Sequence, residues 1–262
     1  MLRHLRLIAL FLRLSLQNDA AYRLDFFLRV GVALLQFGGE LLALWTIFSN
    51  TRSLAGWSAP EVVVLLGVFR VMDGLIGMCI APNMRRIMHE IRDGTLDFVL
   101  LRPLDSQFYA SFRTFIVWRI TDLVLGVVLT AAGAWYASPR LSPDRLLLFM
   151  VMLAAGATIV YSFWLILATT VFWFTRISNI EMVFWNAFEA GRYPIDIYHP
   201  VVRWMLTFVL PLAFLTTFPA GVLTGKTGWA GLAAALLVAP LMLAAASWFW
   251  RFGLRHYSGA SA

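Results

Sequence analysis

Six apolar runs, each close to the roughly 20 residues that an α-helix needs to cross a hydrocarbon core of about 30 Å, dominate this 262-residue sequence. They run from about Phe26 to Phe48, Pro60 to Ile80, Phe115 to Trp135, Leu146 to Phe174, Trp204 to Leu223 and Trp229 to Phe252. In lipid each backbone polar group needs an internal partner, so runs of this kind fold as helices. The expected fold class is an all-α integral membrane protein of one domain, residues 1–262, with an N-terminal interfacial helix and six transmembrane helices. Only 13% of the residues are charged, and the short connections leave no room for a soluble catalytic domain of ordinary size.

Residues 1–24 precede the first run. Arg3, Arg6, Arg13 and Gln17 share one side of a helix there, while Leu5, Ile8, Leu12 and Leu16 face elsewhere, which predicts a helix lying on anionic headgroups. Arg13 cuts the apolar stretch short and no small-x-small site follows it, so a cleaved signal is not expected. The fourth run is longer than one bilayer and should tilt. Pro211 and Pro219 predict a kinked or re-entrant outer half for the fifth.

The net charge of +7 could suggest nucleic acid, but the basic residues lie between the apolar runs and form no patch. With a cytoplasmic N-terminus, 14 Arg residues fall in inner segments against four Arg or Lys residues outside. The positive-inside rule therefore predicts both termini in the cytoplasm. Trp45, Trp57, Trp135, Trp173, Trp204, Trp229 and Trp250 fall near span ends, where amphipathic rings meet headgroups. The single Cys79 permits no internal disulfide, and the four His residues lack ligand spacing, so no metal site is expected.

Ionisable residues inside spans are costly and so mark structure or function. Glu40 lies about 12 Å from the outer end of the first run and Arg70 about 15 Å from that of the second, which predicts a Glu40–Arg70 pair. Gln36 and Asp73 should form the next polar layer inward, serving helix register or a translocation path. Arg119 and Asp122 lie nearer the inner end of the third run, where snorkelling or local pairing is expected.

The longest inner connection, about residues 83–113, opens with Met84, Ile87, Met88 and Ile91 on one helical face and Arg85, Arg86, Glu90 and Arg92 on the rest; Gly94 then stops the helix. Glu90-x-x-Asp93-Gly94-Thr95-Leu96-Asp97 followed by Leu100-Leu101-Arg102-Pro103 resembles the cytoplasmic loop of ABC-2 type transporter permeases. Asp105-Ser106-Gln107-Phe108, and Gly191-Arg192-Tyr193-Pro194 in the connection expected at about 175–203, resemble a bacterial permease-only branch of that superfamily. The resemblance implies an ABC-2 (type V) exporter-like fold in the bacterial cytoplasmic membrane. It also implies cytoplasmic ABC ATPase subunits as partners, with ATP bound by them and no cofactor on this chain, and a homodimer or a second similar permease among membrane lipids. By position in the loop, Arg85, His89, Glu90, Arg92, Asp93, Gly94 and Thr95 are the expected ATPase-coupling surface, and the chain is expected to carry no catalytic site. Two other readings are an intramembrane lipid-modifying enzyme and a non-transporting scaffold.

Ala220-Gly221-Val222-Leu223-Thr224-Gly225-Lys226-Thr227 matches a relaxed phosphate-loop pattern. It follows a Pro-broken apolar run and faces outward on the charge count, so the glycines are expected to make a turn.

Overall fold

The computed structural model describes residues 2–21, 23–137, 142–174 and 178–257; for 2–5, 18–21, 23 and 178–180 the description is confined to the backbone. Those residues are mostly helical and contain no β-strand apart from an isolated bridge between Leu54 and Trp57. Helix α1 is Leu2–Ala21, α2 Arg23–Asn50, α3 Ala59–Leu75, α4 Ala81–Arg92, α5 Asp97–Leu100, α6 Ser106–Phe112 and α7 Ile120–Ala137. They are followed by α8 Pro143–Thr170, α9 Ser178–Phe188, α10 Pro200–Phe208, α11 Leu212–Leu215, α12 Thr217–Thr224 and α13 Trp229–Arg255.

Among the described residues five helices are long and apolar enough to cross a membrane: Leu24–Asn50, Ala59–Arg92, Val117–Ala137, Pro143–Thr170 and Trp229–Arg255. The second departs from the sequence expectation. Instead of ending near Ile80, α3 runs through one π-helical turn, Ile76–Ile80, directly into α4. At 1.5 Å per residue its 34 residues form a rod of about 51 Å, some 20 Å longer than the hydrocarbon core. The charged helix is thus the projecting end of the second span. Met84, Ile87 and Ile91 are buried on one side, and Gly94, with φ +69°, reverses the chain after it.

Trp204–Leu223, expected as the fifth span, is divided among α10, α11 and α12. Trp173 lies 5.8 Å from the His256 ring at the end of α13, whereas Trp57 Nε1 donates to Asp196 at 3.1 Å beside the start of α3. The chain therefore crosses the bundle between these points, through α9 and the 3-10 turns Glu189–Arg192 and Ile195–Ile197. Arg203, paired with Asp196 at 2.9 Å, lies at the same end as Trp57 and Lys226, not in a connection beside α4. Gly191-Arg192-Tyr193-Pro194 belongs to the crossing itself. Helices α10 to α12 start and finish at the Lys226 end, yet a Cβ on Gly156, about 20 Å along α8, would stand 2.7 Å from the Phe214 carbonyl. This is a re-entrant excursion, for which Pro211 breaks the helix.

Close approach of α3 and α7 organises the centre. A Cβ on Gly67 would fall 2.5 Å from the Thr130 amide nitrogen, on Gly126 2.6 Å from that of Val71, and on Gly133 2.7 Å from that of Val64. Lipid tails give apolar side chains no reason to prefer one another, so small residues that bring backbones together drive such contacts. At the Lys226 end the Glu61 carboxylate accepts the Ser58 amide at 2.7 Å and starts α3. Helix α1 lies at the opposite end: Phe11 packs on Tyr109, and Ser15 accepts from the Phe115 amide. Its exposed face carries Arg6, Arg13, Leu10 and Leu14; Arg3 and Leu5 are outside the described side chains.

Two of the expected interfacial tryptophans are core residues. Trp57 and Trp250 are buried, the latter donating to Ser106 Oγ at 3.3 Å, whereas Trp45, Trp135, Trp173, Trp204 and Trp229 are exposed.

Candidate functional site

An ion-pair network sits at mid-depth. Glu40 on α2 and Arg70 on α3 are each about 15 Å from the Lys226 ends of their helices. Arg70 Nε lies 2.8 Å from Glu40 Oε2, and Arg70 Nη1 3.1 Å from Asp122 Oδ1 on α7. Asp122 also takes Arg119 Nη1 at 3.0 Å, and Arg119 reaches Asp73 Oδ2 at 3.0 Å. The expected local pair of Arg119 and Asp122 is present, but Asp122 is 1% exposed and also holds Arg70, so it joins the two layers. A side chain at Gly77 would collide with Arg119 Nε at 2.8 Å; glycine there lets the guanidinium reach the centre.

The same network takes in Arg192, for which the sequence offered no intramembrane role. Its Nη2 is 3.4 Å from Glu40 Oε1, its guanidinium stacks over Phe69 at 5.3 Å, and it pairs with Glu189 one turn back. Glu40 therefore holds one arginine from α3 and another from the α9 crossing. Beside it a cleft of about 310 Å³ is lined by Gln36, Glu40, Leu66, Arg192 and Tyr193. Gln36 shares the cleft with Glu40; Asp73 lies deeper, with Arg119.

Charges buried in lipid persist only when paired or hydrogen-bonded. Each carboxylate at this depth has an arginine partner, leaving none placed as a free base. Among the described residues no group of three or more His, Cys, Asp or Glu side chains could hold a metal ion.

At the α4 end the expected coupling residues divide. Arg85, His89, Arg92, Asp93 and Thr95 are exposed and Gly94 is half-buried. Arg85 Nε bonds Glu181 Oε1 on α9 at 2.5 Å, and Arg92 contacts both His89 and Asp93. Glu90 turns inward. Its carboxylate takes Arg86 at 3.2 Å and Arg113 at 2.5 Å, with Arg113 buried against Tyr109, while its carbonyl accepts the Thr95 amide at 2.9 Å. It ties α4 to Arg113 and to the loop that follows.

The phosphate-loop-like stretch is the C-terminus of α12. Gly225, at φ +77°, caps the helix, and the amides of Lys226 and Thr227 are spent on the Gly221 carbonyl. Lys226 itself is held by the Gly56 carbonyl, Glu61 and the Trp57 ring.

No curated protein matches the chain. A family model described as ABC-2 family transporter protein matches residues 34–261, from the first span to the C-terminus. That span includes the α3–α4 rod, its charged end and the whole buried network, and the chain belongs to the ABC-2 transporter family.

Proposed function

We propose that this chain is the permease subunit of an ATP-driven exporter and takes its energy from separate cytoplasmic ATPase subunits docked on the exposed end of α4. One observation carries the reading: two rods that leave this end converge on one carboxylate. The first is α3–α4, joined to Glu40 through Arg70. The second is the α9 crossing, tied to α4 by Arg85–Glu181 and to Glu40 by Arg192. A displacement of α4 reaches the centre along both.

The exposed Arg85, His89, Arg92, Asp93, Gly94 and Thr95 then form the docking surface, its mixed charge setting register on the partner. ATP is bound and hydrolysed by that partner, and this chain contributes no catalytic site. The Gln36–Glu40–Arg192 cleft lines the translocation path, completed by a second copy or a similar permease against the exposed face of α2. Alternating access follows from movement of the two rods against each other. Moving Arg192 out of the inner count and Arg203 to the outer side leaves twelve basic residues against five, which supports cytoplasmic termini in a bacterial cytoplasmic membrane.

Mild detergent extraction from the native membrane, followed by affinity capture of this chain, tests the reading. Recovery of an ATP-binding subunit whose hydrolysis depends on the permease is expected. Capture of intact permease without one, under crosslinking as well, overturns it.

A further inference from the structure

A second and larger cleft, about 540 Å³, lies among α6, α8 and α13, away from Glu40. The exposed Arg251 lines it at the mouth, four residues from the coupling end of α13, and Leu243 lines it about 12 Å further along the helix. The lining is mostly apolar, Leu75, Ile80 and Phe112 included, with Gln107, Thr158 and Tyr161 as its uncharged polar members, and the exposed Asp105 joins Arg251 at the mouth.

The two mouth charges differ from the others. Among the described residues Arg251 has no ion pair or hydrogen bond, and it is exposed near the coupling end of α13. Asp105 caps α6 by accepting the Phe108 amide at 2.8 Å and has no cationic partner. Although they border one cavity, the two side chains form no ion pair with each other. A site with a cation and an anion at its rim and an apolar slot beneath is complementary to a zwitterionic amphiphile.

We propose that this cleft binds one phospholipid with an ethanolamine headgroup from the leaflet at the coupling end. Its phosphate lies against Arg251, its ammonium against Asp105, and one acyl chain occupies the slot toward Leu243. A guanidinium forks onto phosphate oxygens, and a carboxylate accepts from the N–H groups of a primary ammonium. A choline headgroup has no N–H to donate. A glycerol headgroup has no cation for Asp105. Volume and lining, mostly apolar with few polar groups, suit such a ligand. The site does not depend on an ATPase partner.

Native mass spectrometry of the delipidated full chain, titrated with phosphatidylethanolamine, phosphatidylglycerol and phosphatidylcholine of one acyl composition, tests this. One tightly held phosphatidylethanolamine per chain is expected, ahead of the other two. Arg251→Gln should weaken it about tenfold, the worth of one charge-assisted hydrogen-bonded contact. Asp105→Asn, which keeps a capping side chain, should abolish the preference over phosphatidylglycerol. Leu243→Trp should expel the lipid by filling the slot. Both mouth residues are exposed, so their variants fold, which a monodisperse elution profile checks. Equal retention of all three lipids by the unaltered chain, a preference for phosphatidylglycerol, or unchanged retention in Arg251→Gln and Leu243→Trp overturns the proposal.

Discussion

Asn83 pairs with the backbone of Thr114 as a neighbouring strand would: its Nδ2 donates to the Thr114 carbonyl at 2.7 Å and its Oδ1 accepts the Thr114 amide at 3.0 Å. The same Nδ2 reaches the Cys79 carbonyl at 2.6 Å, and the Ile116 amide is taken by the Met78 carbonyl at 2.9 Å. Within the π-turn the Met78 carbonyl serves the chain before α7 and the Cys79 carbonyl serves Asn83, so irregular backbone near the membrane edge finds its partners inside the protein.

Asn83→Leu should therefore cost about 3 kcal/mol, because it strands buried donors and acceptors worth about 1–3 kcal/mol each. Thermal unfolding of the purified protein in detergent measures it. An unchanged midpoint would show that the clamp contributes nothing.

Removing the guanidinium at the centre leaves two buried carboxylates short of a partner. Arg70→Met should destabilise by about 3–5 kcal/mol, the range for breaking a buried ion pair. Glu40→Gln in the same chain should recover part of this, since Asp122 keeps Arg119 while Arg192 loses Glu40. Additive losses in the double-mutant cycle would mean the two side chains are not coupled.

Glycine substitutions separate close packing from open helix surface. Gly67→Ala places a methyl group against the Thr130 backbone and should cost about 1–3 kcal/mol by overpacking. Gly38→Ala meets nothing within 4 Å and, in mid-helix, should be neutral or slightly stabilising. Equal effects at the two positions would contradict the close approach of α3 and α7.

The coupling residues should separate into two phenotypes. Glu90→Ala leaves Arg113 buried without its carboxylate and should lower the unfolding midpoint in permease alone. Asp93→Ala and Arg92→Glu should leave that midpoint unchanged and reduce recovery of the ATPase subunit. If Glu90→Ala is as stable as the parent and loses only the ATPase, the carboxylate belongs to the docking surface after all.

Hydropathy and helical periodicity made much of this legible. Five of the six long apolar runs are long continuous helices, because lipid gives an isolated backbone no alternative to the helix; the run Trp204–Leu223 is instead broken at Pro211. The buried face of α4 followed from Met84, Ile87 and Ile91 at helical spacing, and Glu40 opposite Arg70 followed from depth arithmetic between antiparallel neighbours. Arg192 escaped that reading because its neighbours Gly191 and Pro194 look like a turn outside the membrane; at 3.6 residues per turn nothing in so short a stretch reports depth. Asn83 gave no signal, since an amide next to a charged helix looks like surface.

What the sequence by itself determined is therefore local: which segments are apolar enough to become helices, where α4 stops at Gly94, and which ionisable residues must find partners. Tertiary structure alone decided who those partners are. It set Asp122 between two arginines, turned Glu90 inward to Arg113, joined α3 to α4 through a π-turn, and folded 200–224 back toward the end it left. The physical reason is that composition fixes the cost of burying a charge or breaking a helix, whereas the groups that offset it come from segments tens of residues away.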